Sequence, residues 1–259
     1  MGQNLRDQVF FGLSRGINVP NTGTYLASPA QRDFALQQYR SNGSGPYSAG
    51  AAYLSFEKLP AKSLAGLSNR TLTLLSQFPS DWPNIEYVPV GFGSPIPNIT
   101  TIGGFGTILL TPSSRGTVTI QSASISDPPI IDLGWLTDAA DGETLVAAFK
   151  RVREAWSSSA VANITVGPEI SPGEAVTSDA DILDYIRQTA QTIWHASSTC
   201  AMGKAGDRFA VVDSKARVFG VKNLRIVDNS IPPFGLPGHP QSSVYMLAEK
   251  IADDILEGR

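Results

Sequence analysis

The sequence predicts an α+β fold built on an antiparallel sheet. Helical and strand-like stretches follow one another without strict strand–helix–strand alternation, which disfavours a parallel sheet. Two β-rich runs, 108–111 and 117–120, flank a Gly-containing turn at 112–116, the pattern of a hairpin. Apolar residues are 42% and charged residues 17% of 259, enough for a sizeable core and too apolar for a disordered chain. At about 150 residues per domain, this length fits one large domain or two small ones.

The elements follow in order. Residues 1–24 mix apolar and turn residues and predict no element. Ser28-Pro29-Ala30 before Gln31–Leu36 reads as a capped helix with Pro in its first turn. The Gly- and Ser-rich segment 41–46 ends it. Ala52–Phe56 reads as a strand, and Ser63–Phe78 as one helix carrying Leu64, Leu67, Leu72, Leu74 and Leu75. Ile85–Val90 is strand-like, with Pro89 placing it at an edge or bulge. Asp141–Trp156 is the clearest helix, because Leu145, Ala148, Phe149, Val152 and Trp156 recur at helical spacing. Asp179–Ile193 is another, capped by Ser178. Leu224–Asp228 reads as a short buried strand, and Ser242–Leu256 as a closing amphipathic helix. Phe149, Trp156 and Met246 are most simply core.

Composition also excludes functions. A net charge of −3 offers no basic field for nucleic acid or anionic lipid. No run of about 18 apolar residues spans a membrane. One cysteine, Cys200, excludes an internal disulfide framework and multi-cysteine metal sites. Met1–Asp7 is polar and charged, unlike a signal peptide, so no export address is expected and the compartment stays open. Four Asn-x-Ser/Thr sequons lie at Asn42, Asn69, Asn98 and Asn163. No G-x-G-x-x-G is present: Gly91-Phe92-Gly93 meets Ile96, and Gly104-Phe105-Gly106 meets Leu109.

The chemistry-bearing residues gather near the C-terminus. His195 and His239 are the only histidines, and imidazole is the side chain best suited to take and return a proton near neutrality. His239 sits in Pro237-Gly238-His239-Pro240, a loop before the last helix. Each histidine taken singly also reads as an ordinary surface or core residue. Zinc ligation lacks a second Cys or a close His pair, a serine hydrolase lacks its G-x-S-x-G elbow, and Cys200 reads as structural. Asp228-Asn229-Ser230 reads either as a ligand-contacting turn or as an Asx-turn.

These C-terminal residues closely resemble the glucose–methanol–choline (GMC) family of flavoprotein oxidoreductases. The resemblance runs through Trp194-His195, Ser198–Gly203, Val212-Asp213, Ala216–Val221, Asn223–Ser230, His239-Pro240 and Ala248–Ala252. Gly2–Asp7 is similar to the family's glycine–asparagine–leucine–aspartate turn, which usually ends in His where this chain has Gln8. Thr111–Val118 resembles its proline–serine–arginine–glycine hairpin. The fungal branch with aryl-alcohol and glucose oxidases, often secreted, looks closest.

The resemblance implies an antiparallel-sheet substrate domain flanked by helices, plus the last strand, loop and helix of a flavin domain whose Rossmann part is not in this sequence. It implies three segments: 1–20, like the flavin domain; 21–190, the substrate-binding domain; and 191–259, the catalytic segment. His195 matches the base that takes the hydroxyl proton of an alcohol while hydride leaves for FAD. His239 matches the residue that orients the hydroxyl. Asp228, Asn229, Pro240 and Gln241 match flavin-touching positions, and Trp194 would line the substrate pocket. The implied partners are a small-molecule alcohol and a second copy or another chain covering the face left by the Rossmann domain. The alternatives are a flavin-independent isomerase, dehydratase or cyclase using the same histidines, and an inactive remnant.

Overall fold

The computed structural model describes residues 1–48, 53–99 and 101–258. Its main sheet has six strands. They are β1 (Val9–Ile17), β2 (Ser55–Glu57), β3 (Ile85–Gly93), β4 (Thr101–Leu109), β7 (Thr165–Ser171) and β8 (Gln191–Thr192). The order is β2-β3-β4-β1-β7, with β8 paired to the start of β1, and every pairing is antiparallel. The predicted α+β class is therefore observed. The short strands β5 (Thr117–Thr119) and β6 (Ile130–Asp132) form a separate ribbon.

Sheet alternation sets the two faces. Val9, Phe11 and Leu13 of β1 point to the helical layer, where α5 (Ala139–Trp156) and α7 (Asp179–Thr189) bury Leu145, Phe149, Val152, Ile182 and Ile186. Phe11 stacks on Phe149 at 6.0 Å, and Phe105 meets Trp156 edge-on at 5.5 Å. Gln8 lies just before β1, on the alternate phase that carries Phe10, so it belongs to the opposite face. Directly opposed residues share a face, so Phe10, Ile108, Glu86 and Phe56 form one row there across β1, β4, β3 and β2. A second, smaller core of Cys200, Val212, Ala216, Ile231 and Ile251 lies beneath α8 (Gln241–Leu256).

β1 is absent from the sequence reading, although it is central to the sheet. Gly12 and Gly16 interrupt its pattern, as Gly103, Gly104 and Gly106 interrupt that of β4. Packing rescues these strands: a side chain on Gly106 would stand 2.2 Å from the Phe10 ring, which covers it instead. β1 also puts residues 9–17 in the same sheet and core as much of 21–190.

Three expected elements form differently. The hairpin 108–111/117–120 does not close. The N–H groups of Ser113 and Ser114 bond the Asp141 carboxylate at 2.7 and 2.8 Å, which ties the turn to the start of α5. Gly116 then pairs with Leu5 and Val118 with Gly2, so the outgoing arm joins the N-terminal segment and β6. The helix expected over 63–78 is two: α3 (Ala61–Leu64) and α4 (Asn69–Ser76). Gly66 and Ser68 separate them, and the Ser68 hydroxyl caps α4 by accepting from Thr71 N–H. Residues 224–228 make a single bridge at Arg225 rather than a strand, and Leu224 and Val227 are exposed.

The other elements stand close to their expected places. α5 is capped by Asp138 and α7 by Ser178. α7 stops at Thr189, because Gln191 and Thr192 pair with Phe10 and Val9. α2 (Pro29–Asn42) starts on Pro29 and ends at Gly43 in the left-handed conformation. Pro89 falls on the stretch of β3 beyond the end of β2, where one side of β3 is an edge. Ala52, the first residue of the expected strand at 52–56, lies outside the described residues.

Candidate active site

Two separate loops bring the histidines together. His195 follows β8, between Trp194, whose N–H bonds the Thr192 hydroxyl at 2.8 Å, and Ser197, which pairs with Arg6 through both backbone groups. His239 stands immediately before Pro240, which caps α8. The two rings meet edge to face, with centroids 4.7 Å apart and planes at 78°.

Each ring has its own anchor. His195 Nδ1 lies 2.7 Å from Gln8 Oε1. The other end of that amide donates from Nε2 to the carbonyls of Leu236 and Gly238, at 3.1 and 3.4 Å. Those two acceptors fix the amide orientation, so the oxygen faces the imidazole and Nδ1 must be the donor. The neutral ring then carries its lone pair on Nε2. His239 Nε2 lies 2.7 Å from Glu86 Oε1, a fully buried carboxylate on β3. A carboxylate there accepts from Nε2–H, leaving Nδ1 as the other ring nitrogen.

Burial sets the electrostatics. Burial, and then the charge His239 can carry, push the His195 imidazole down to about 4. Burial raises the Glu86 carboxyl above its ordinary range, opposed by its bond to His239. Glu86 Oε2 is buried with no hydrogen-bond partner. Asp7 is also raised by burial, and its Oδ1 accepts from Gln8 N–H at 3.0 Å. The site thus disfavours charge on His195 and Glu86, and the His195 imidazole stays unprotonated at neutral pH.

The sequence-predicted residues do not all converge. His195, Asn229 and Pro240 line one cleft with Gln8, Arg6 and Pro112. Its interior of about 20 Å³ takes about one water molecule, and His239 is not among its lining residues. Asn229 Nδ2 donates to Ala196 O at 2.8 Å, while its Oδ1 is buried and unpartnered. Asp228 is exposed and accepts from Ser230 N–H in an Asx-turn. Gln241 is exposed at the first position of α8. Trp194 does not line the cleft: its side chain is 86% exposed. Backbone φ of +61° at Trp194 and its bond to Thr192 turn the residue outward.

Two functional residues escaped the sequence reading. Gln8 was visible only as a departure from the resembled motif. Glu86 had one signal, a lone carboxylate between Ile85 and Tyr87 in a strand-like run. Among the described residues no group of three or more His, Cys, Asp or Glu side chains can hold a metal ion.

Comparison with known proteins places the chain in a family. Residues 112–248 match the family model described as GMC oxidoreductase. Dehydrogenase pkfF of Emericella nidulans is 46% identical over all of this chain, which covers 43% of that protein. Patulin synthase of Penicillium expansum is 43% identical over 98% of the chain and 42% of its own length. An FAD-dependent oxidoreductase from Chaetomium thermophilum superposes with a TM-score of 0.80 at 25% identity, over 99% of this chain and 48% of that one. The chain spans less than half the length of the curated relatives it matches. The family match and the relatives lead to one assignment: the chain belongs to the GMC oxidoreductase family.

Proposed function

We propose that this chain is the substrate-facing part of an FAD-dependent oxidoreductase acting on the CH–OH group of an alcohol. The observation that carries the reading is the histidine pair at 4.7 Å, with the tautomer of one ring set by Gln8. His195 Nε2 accepts the hydroxyl proton. His239 is held through Nε2–H by Glu86 and, with its second ring nitrogen also protonated, donates Nδ1–H to the same oxygen and steadies its developing negative charge. A positioned general base contributes about 10²–10⁴-fold to such a step.

The residues present fit the ring end of a flavin. Asn229 Oδ1 is a buried acceptor in need of a donor, and α8 begins beside it with no side-chain cap on its first N–H groups. Asn229, Pro240, Gln241 and Asp228 would hold the group. Bound there, FAD supplies the acceptor for the hydride that leaves the alcohol carbon. The same reading gives the C-terminal segment a covering partner. Trp194, Val221, Leu224, Tyr245 and Met246, all in the C-terminal segment, are each exposed, and exposed large apolar side chains suit an interaction surface. A second copy or another polypeptide covers it.

The test is flavin reduction by primary alcohols, aromatic and aliphatic, in the FAD-loaded protein and its His195→Ala variant. The expected result is rapid bleaching in the wild type and a roughly thousandfold slower rate in the variant, within the range for loss of a base. Equal rates in both proteins, or conversion of the alcohol without flavin, would contradict the reading.

A further inference from the structure

A second cavity, of about 420 Å³, shares Arg6 with the histidine cleft. Its lining includes Asn4, Arg6, Arg115, Arg208 and Asp207. Three arginines and one carboxylate thus line the same cavity. Among the described residues none of these three arginines forms an ion pair.

The local carboxylates are already engaged. Asp207 Oδ2 accepts from Lys204 N–H at 2.7 Å. Asp141 and Asp138 act on Arg115 only through space: Asp141 holds the Ser113 and Ser114 N–H groups, and Asp138 is bridged by Arg70 at 2.5 and 2.7 Å. Arg115 is held by its own backbone, Nη1 donating to the carbonyls of Pro112 and Ser114, both at 2.7 Å. Arg6 Nε is buried with no acceptor at all. Burial, and then Arg115, pull the Arg6 guanidinium down to about 10, the mark of a cation lacking its counter-charge.

We propose that Arg6 and Arg115 form an oxyanion site for a phosphate-type group, with Arg208 at its entrance. Planar guanidiniums match phosphate oxygens two at a time, and a buried donor without an acceptor is costly until such a group arrives. Arg6 also lines the cleft that contains His195, so the two cavities share this residue. Two sources share this chemistry: inorganic pyrophosphate and the phosphoanhydride of FAD. The second source rests on the function proposed above, the first does not.

The test titrates the protein with inorganic pyrophosphate by calorimetry, against chloride at matched ionic strength. Saturable binding is expected, weakened at least about tenfold in Arg6→Gln, which loses charge-assisted bonds. Arg208 is exposed, with its guanidinium 4.9 Å from the Phe209 ring centroid, so Arg208→Gln should fold and bind a few-fold less tightly. It decides the matter if Arg6→Gln does not fold. No saturable binding beyond chloride, or equal binding by wild type and variants, overturns the site. A parallel titration compares FAD with riboflavin by fluorescence quenching. A preference for FAD that disappears in Arg6→Gln identifies the phosphoanhydride as the occupant. Pyrophosphate binding without that preference supports an independent anion site and counts against the flavin reading alone.

Discussion

Gln8 Oε1 and His195 Nδ1 stand 2.7 Å apart, and the far end of the same amide is held by two backbone carbonyls. One side chain thereby orients the imidazole, chooses its tautomer and ties the strand-leading segment to the loop carrying His239. Gln8→Leu removes the acceptor but keeps most of the volume. Flavin reduction should slow roughly a hundredfold, short of the ~10⁴-fold that follows inversion of a tautomer. KM should change much less than kcat, because the amide touches the base rather than the substrate. Unchanged kcat would show that the ring needs no orienting bond.

If His195 is the base proposed above, its protonation sets the acid limit of activity. Its folded value near 4 lies below the 6.5 of an unperturbed imidazole. The base form therefore persists through neutral pH, and kcat/KM should fall only as pH approaches about 4. His239→Asn removes the neighbouring charge and should move that limb upward. Stability runs in the same sense: between 6.5 and about 4 the unfolded chain binds more protons, so stability falls as pH falls through this window. His195→Gln should flatten that slope in denaturant titrations at several pH values.

Glu86 carries the opposite linkage. Burial raises its folded value above 4.5, so ionisation opposes folding, and its contribution weakens as pH rises from 4.5 through the folded value. Glu86→Gln should remove this loss. The same variant should lower kcat about tenfold, because a neutral amide holds the His239 ring less firmly than a carboxylate. A variant as active as wild type would release His239 from dependence on this anchor.

Arg153 and Glu169 secure the scaffold away from the site. Glu169 is almost fully buried, and Arg153 binds it at 2.7 and 2.9 Å while also donating to Val176 O and Gly173 O. Glu169→Ala leaves the guanidinium without its partner and should cost about 3 kcal/mol. Urea unfolding measures it, and a loss below about 1 kcal/mol would place the pair among the weak surface bridges.

Legibility in the sequence followed local physics. α5 and α8 were readable because one apolar stripe decides a helix, and Ser178 because a cap acts over three residues. β1 and β4 were not, because glycines break their patterns and the packing that accommodates them, such as the Phe10 ring of β1 over Gly106 and Ile17 over Gly103, comes from the paired strand. The hairpin at 112–116 was misread because Asp141, far along the chain, claims the turn's N–H groups. Within the site, both histidines were legible through motif resemblance. Their pairing with Gln8 and Glu86 was not, because those contacts span 187 and 153 residues. Trp194 shows the limit of the same reasoning: adjacency in sequence to the base did not put its ring in the cleft.

The most direct test of the histidine pair is nitrogen NMR of the His195 ring across pH. The expected spectrum has a protonated Nδ1 and a bare Nε2 at neutral pH, persisting until the ring titrates near 4. A hydrogen on Nε2, or titration at the ordinary 6.5, would contradict a base preset by Gln8.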